Sequence, residues 1–131
     1  MSHEIAPEDR ELLDAAADVL RRNYREQLHT VGAAVRCGSG KIYAAVNIDS
    51  GGYGPCAEPI AIGMAISNGE REFETIAALR SDGTPLAPCG NCRQLLLEYA
   101  PAMDVLLSRG DGVVKVPITQ LLPDAYSRPG S

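Results

Sequence analysis

The amino-acid sequence predicts an α/β fold, a three-layer sandwich of helices around a mixed sheet. Two observations carry that expectation. Segments with helical periodicity alternate with short apolar strand segments. Two early strand segments also flank Gly38-Ser39-Gly40, which reads as a hairpin, so part of the sheet is antiparallel. The order is helix, hairpin, helix, strand, helix, strand, strand. With 131 residues and 45% hydrophobic content, the chain fits a single domain, 1–131, whose core needs no disulfide support.

Met1 to Ala6 reads as a frayed lead-in. Pro7 followed by Glu8, Asp9 and Glu11 is a helix-start pattern, with acids at the positive end of the dipole. Leu12, Leu13, Ala16, Val19, Leu20 and Tyr24 then form one apolar face. Arg21, Arg22 and Arg25 near the helix end read as a solvated terminus rather than an anion patch. Val31 to Arg36 and Lys41 to Val46 are the hairpin strands, and their small residues allow a helix to pack closely on the sheet. Asn47 to Pro55, with three glycines around Tyr53, is a loop. It is no phosphate cradle, since no Gly-Lys-Ser/Thr follows.

Ala57 to Ser67 reads as a largely apolar helix ended by Asn68-Gly69. Phe73 to Leu79 is a strand, and Asp82 to Ala87 a loop. Gly90 to Tyr99 is a helix stopped before Pro101. Met103 to Leu107 and Val113 to Val116 are strands around Gly110-Asp111-Gly112. A helical turn is expected over Ile118 to Leu122, and a loose tail to Ser131. The methionines and Cys37 read as core filler.

Twelve Lys+Arg against 17 Asp+Glu, a net charge of −5, argue against a basic surface for a nucleic-acid polymer. A small-molecule partner is expected instead. The N-terminus lacks a signal-peptide pattern, and no apolar run reaches the roughly 20 residues of a membrane span. The expected location is therefore cytoplasmic, where the four cysteines stand as free thiols or metal ligands.

Two short stretches carry the chemistry: Pro55-Cys56-Ala57-Glu58-Pro59 and Pro88-Cys89-Gly90-Asn91-Cys92-Arg93. Cys89 and Cys92 stand at i and i+3 of a helix start, so both sulfurs can face one point. By itself Cys-x-x-Cys fits a redox pair, half of a structural zinc site or part of a catalytic one. The redox pair lacks the thioredoxin-like order, and a structural site lacks a well-placed fourth ligand. A catalytic zinc needs three ligands, an open position and an acid/base beside it. Cys56 supplies the third ligand, and Glu58, two residues on, lies beside the metal rather than on it. Three thiolates and Zn²⁺ sum to −1, an excess that two helix N-termini soften. Arg93 reads equally as a donor to a ligand sulfur and as an ordinary surface arginine.

These stretches, continued by Gln94, resemble the cytidine deaminase superfamily, whose zinc enzymes carry a His/Cys-x-Glu and a Pro-Cys-x-x-Cys signature. Val31-Gly32-Ala33-Ala34, Val46-Asn47 and Leu121-Leu122-Pro123-Asp124-Ala125-Tyr126 are similar to further motifs of its small members, so the resemblance covers most of the chain. It implies a five-stranded mixed sheet between helices. It also implies zinc on Cys56, Cys89 and Cys92, proton shuttling by Glu58, and a homotetramer with active sites shared between subunits. The substrate-binding residues it implies are Asn47, Asp49 and Ala57, with the closing aromatic, Tyr126, in a neighbouring subunit's pocket. Tyr53 and Tyr126 are the candidates to stack on a flat ring, and His29 falls where an aromatic pocket residue is common.

The chain departs from cytidine deaminases at Asn47-Ile48-Asp49, where they carry Asn-x-Glu. It also has a short loop before Cys56, and Pro59 where an Arg is usual; in these features it resembles blasticidin S deaminase. The expected function is hydrolytic deamination of a cytosine-like ring, cytidine or deoxycytidine first. Blasticidin S and a free aminated base or triazine-like ring are alternatives. A zinc-stabilised nucleoside-binding protein without catalysis is the reading from another class.

Overall fold

The computed structural model describes residues 5–129. Met1 to Glu4, most of the expected lead-in, and Gly130 and Ser131 at the end of the expected tail lie outside the described residues. The elements are α1 (Pro7–Asn23), β1 (Val31–Cys37), β2 (Ile42–Val46), α2 (Ala57–Ser67), β3 (Phe73–Arg80), α3 (Gly90–Tyr99), β4 (Asp104–Arg109), β5 (Gly112–Pro117) and α4 (Ile118–Leu121). Each expected element is present: α2 and α3 keep their expected bounds, and the other boundaries shift by at most two residues.

The five strands form one sheet in the order β2-β1-β3-β4-β5. β1 is antiparallel to both β2 and β3, β3 is parallel to β4, and β4 is antiparallel to β5. The sheet is therefore mixed, as expected. Because β2 and β3 both oppose β1, they point the same way. The helices that follow them, α2 and α3, accordingly begin beyond the same edge of the sheet, where ligand sites form in open α/β sheets. The start of β1, at Val31, lies at that edge as well.

Strand alternation divides the core into two layers. On one face Leu12, Leu13, Ala16 and Leu20 of α1 pack on Ala34, Ala77, Leu79 and Leu106. On the other, Ala61, Ile62 and Ala65 of α2 and Leu96 of α3 pack with Val35, Ile76, Val105, Met103 and Ile118. The small residues of β1 have a direct purpose. A Cβ on Gly32 would fall 2.3 Å from the Ala16 carbonyl oxygen and 2.9 Å from Leu20 Cβ, so α1 sits on bare backbone there. Gly40 in the hairpin turn has φ +91°, a conformation that favours glycine.

The charged face of α1 is anchored by a buried cluster. Asp9 and Arg36 are both buried; Lys115 Nζ lies 3.3 Å from each Asp9 oxygen, and Arg36 3.8 Å from one of them. Arg21 and Arg22 pair with Asp18 on the solvated helix end, as the sequence suggests.

Three packing expectations need correction. Tyr24 falls after the last turn of α1 and is 46% exposed, because the chain leaves helical geometry at that residue. Met64 is not core filler: it lies on the outer face of α2 and is exposed, whereas Met103 is fully buried. The tail is not loose throughout, since Gln94 donates to the Tyr126 carbonyl and Arg128 pairs with Glu98, both across to α3.

Candidate functional site

Cys56 is the N-cap of α2 and Cys89 the N-cap of α3, both in extended conformation. Pro55 and Pro88 precede them and stiffen each entry. Cys92 lies one turn into α3, on the same side as Cys89. The Cys56 and Cys89 sulfurs are 3.8 Å apart, those of Cys89 and Cys92 are 3.4 Å apart, and all three lie within 4.8 Å of one another. Tetrahedral zinc with bonds of about 2.3 Å holds its sulfurs about 3.8 Å apart, so this donor set fits the ion with little rearrangement. The cysteines are free thiols, Cys92 buried and Cys89 exposed.

The thiols differ electrostatically. The backbone N–H of Cys92, followed by nearby thiols and the N–H of Asn91, holds Cys89 below the ordinary thiol range. Burial pushes Cys56 and Cys92 upward, and the Glu58 charge adds to both. A metal that requires thiolates therefore displaces protons on binding. Glu58 itself is 6% exposed in the first turn of α2. Burial raises its carboxyl above the usual carboxylate range, offset only in part by its own backbone N–H.

Cys56, Glu58 and Cys89 border a cleft of about 310 Å³, with the buried Cys92 sulfur 3.4 Å from that of Cys89. Its lining also includes Val31, Asn47 to Asp49, Gly54, Pro55, Ala57, Leu86 and Ala87. Asn47, Asp49 and Ala57 thus stand in the cleft. Asn47 also ties the loop down: its Oδ1 accepts from the backbone N–H groups of Thr30 and Val31 at 2.8 and 2.9 Å. Its amide Nδ2 is left as the group that can face a ligand.

Three other candidates stand elsewhere. His29 donates through Nδ1 to the Asn47 carbonyl at 2.8 Å, so it braces the loop from behind. Tyr53, 76% exposed, caps a tight turn in which its N–H donates to Ser50 Oγ. Tyr126, 67% exposed, borders a separate groove against α3. None of these three lines the cleft of its own chain. Arg93 fits neither of its two readings: Nε donates to the Pro88 carbonyl at 2.7 Å and a terminal nitrogen to the Leu121 carbonyl at 2.9 Å. These fixed carbonyls are better acceptors than sulfur.

Leu86 and Ala87 were not foreseen as cleft residues. Their placement comes from the bridge between Leu79 and Pro85 and from the Leu86 N–H donating to the Ala78 carbonyl, which fold the loop back along β3. The signal available was proximity in sequence, because residues just before Pro88-Cys89 must approach the same point.

Known proteins with this arrangement were found at three levels. The family model for the cytidine and deoxycytidylate deaminase zinc-binding region matches residues 6–108. A blasticidin-S deaminase from Bacillus cereus is 40% identical over 134 aligned positions, covering 95% of this chain and 96% of that protein. A cytidine deaminase from Sporosarcina psychrophila is 37% identical over 103 positions, 75% of each chain. The crystal structure of cytidine deaminase from Burkholderia pseudomallei superposes with a TM-score of 0.76 at 32% identity, covering 96% of this chain and 100% of that one. Sulfur geometry, sheet order and these likenesses agree, and the chain belongs to the cytidine and deoxycytidylate deaminase family of zinc-dependent hydrolases.

Proposed function

We propose that this chain, acting as one domain over residues 1–131, hydrolytically deaminates the cytosine-like ring of a small nucleoside, with cytidine or deoxycytidine as the leading substrate. The observation that carries the reading is the clustering of the Cys56, Cys89 and Cys92 sulfurs where Cys56, Glu58 and Cys89 line one cleft. Cys56, Cys89 and Cys92 would hold zinc, which when bound acts as a Lewis acid that makes water nucleophilic near neutral pH.

The remaining steps belong to the protein. The Glu58 carboxylate takes one proton from the attacking water and returns it to the ring nitrogen. With the C–O bond formed, it takes the second proton from the new hydroxyl on the ring carbon and passes it to the exocyclic amine, so that the carbonyl forms, the exocyclic C–N bond breaks and ammonia leaves. Its burial supports this role, because a carboxyl that binds protons more tightly than usual can give as well as take them. That Asn47, Asp49 and Ala57 line the cleft supports a reading in which Asn47 Nδ2 and the Asp49 carboxylate meet the polar rim of a nucleoside and the Ala57 backbone meets the ring edge.

A homotetramer with shared active sites accounts for the residues this cleft leaves out. α2 is apolar nearly all round yet leaves Met64 exposed, which in a helix of that composition favours burial against another copy. Tyr53 and Tyr126, both prominent on the surface, are then available to a neighbour's ring, and His29 supports the loop that carries Asn47. The free cysteines suit the cytoplasm. No described helix is long and apolar enough to cross a membrane, and the negative charge disfavours a nucleic-acid polymer.

The match to a blasticidin-S deaminase over 95% of this chain, together with Asp49 and the short loop, favours a second reading: deamination of blasticidin S. An ultraviolet assay over cytidine, deoxycytidine, cytosine and blasticidin S separates the two. Turnover of cytidine or deoxycytidine without turnover of free cytosine supports the first reading. Turnover of blasticidin S alone replaces it with the second, and turnover of none contradicts both.

A further inference from the structure

Arg93 follows a metal-ligand candidate, yet its guanidinium touches no sulfur. It joins two carbonyls from distant parts of the chain: Pro88 at 2.7 Å and Leu121 at 2.9 Å. The backbone N–H of Arg93 also donates to the Cys89 carbonyl at 2.9 Å. One residue thus fixes the peptide units on both sides of the Cys89 entry, which decide where that sulfur points. At the far end the acceptor is a helix-terminal carbonyl. α4 spans four residues, so its last carbonyls have no partner within the helix. Arg93 supplies one. Beside it, Gln94 donates to the Tyr126 carbonyl at 3.1 Å, and Arg128 pairs with Glu98 at 3.1 Å. The last described segment is therefore strapped along the helix that carries Cys92, and Arg93 is the link in that strap reaching the Cys89 turn.

We infer that Arg93 is a positioning residue for the metal centre: its two-pronged contact locks the Pro88-Cys89 turn to the C-terminal segment, so that zinc retention depends on a bond outside the ligand set. The inference rests on the reading that Cys56, Cys89 and Cys92 hold zinc. Arginine suits the task because a planar fork can serve two acceptors at once, which a lysine ammonium on a flexible stem does poorly.

The test is the rate at which the zinc-loaded full-length protein loses its metal to a chromophoric chelator, compared among wild type, Arg93→Met, Arg93→Lys and Gln94→Met, with melting temperature recorded for each. Removing partners just outside a metal site costs about 10- to 100-fold in metal affinity. Arg93→Met is expected to release zinc at least about tenfold faster, with Arg93→Lys in between. Gln94→Met keeps the fork and should match wild type even where its melting temperature falls. Release from Arg93→Met at the wild-type rate, whatever its melting temperature, overturns the inference. Should Arg93→Met fail to fold, wild-type release from Arg93→Lys overturns it equally. Wild-type protein that takes up no zinc overturns the metal assignment itself, a result distinct from either.

Discussion

The sulfurs of Cys56 and Cys89 lie 3.8 Å apart although 33 positions separate them in sequence. The approach is a consequence of strand direction. β2 and β3 run parallel with β1 between them, so the helices that follow start side by side. Each contributes an N-terminal tip, and at Cys89 the backbone N–H groups of that tip hold the thiol below its ordinary range. Glu58 borders the same cleft because it lies in the first turn of the first of those helices, two residues after Cys56.

Replacing Glu58 by Gln tests the proton-transfer role. The amide is nearly isosteric but cannot accept and return a proton. Turnover of the preferred nucleoside is expected to fall by at least about 10²-fold. Zinc content, read by elemental analysis, should remain that of wild type. Full activity in Glu58→Gln would assign the proton transfer elsewhere.

Gly32→Ala tests the contact between α1 and the sheet. The new methyl would meet the Ala16 backbone oxygen at 2.3 Å, and backbone cannot rotate aside. Overpacking of this kind costs about 1–3 kcal/mol. Urea unfolding should show that loss, while zinc content stays unchanged because the site lies at the sheet edge.

Asp9→Ala removes the carboxylate between Arg36 and Lys115. Arg36 is already short of partners, its second terminal nitrogen being buried without a hydrogen bond. Leaving a buried charge uncompensated costs about 3–5 kcal/mol. Thermal unfolding should register it. Mutating Lys115, whose side chain is about a third exposed, should cost less.

Cys37 provides a pH signature away from the site. Burial, aided by the charges of Glu70 and Glu74, pushes its thiol up to about 11. A raised thiol means the folded state holds the proton more tightly than the unfolded chain does. That contribution is complete below about pH 8.5, the free-thiol value, and is lost as pH rises toward 11. The urea midpoint should therefore fall between pH 8 and pH 10 in wild type, and less so in Cys37→Ala. Equal slopes in the two proteins would contradict the burial argument.

The sequence made the elements legible because their signals are local. Pro7 with its acids, Asn68-Gly69 after α2 and Pro101 after α3 mark helix ends by their own backbone chemistry. The metal-ligand candidates were legible because Cys-x-x-Cys and Cys-x-Glu at helix starts have few other uses together. What escaped was decided at a distance. Adjacency to Cys92 makes sulfur a local candidate acceptor for Arg93, but the carbonyl of Leu121, 28 positions on, takes its donor. Leu86 enters the cleft through a bridge to β3 that no local pattern announces. Met64 and Tyr24 are apolar by type, and only packing decides that they face outward.

The most direct measurement is the zinc content of purified wild type beside Cys56→Ser and Cys92→Ser. The three-sulfur centre predicts about one zinc per wild-type chain and a large loss in both variants, since ligands from two helices are each needed. Wild-type protein without stoichiometric metal, or Cys56→Ser retaining as much zinc as wild type, would contradict it.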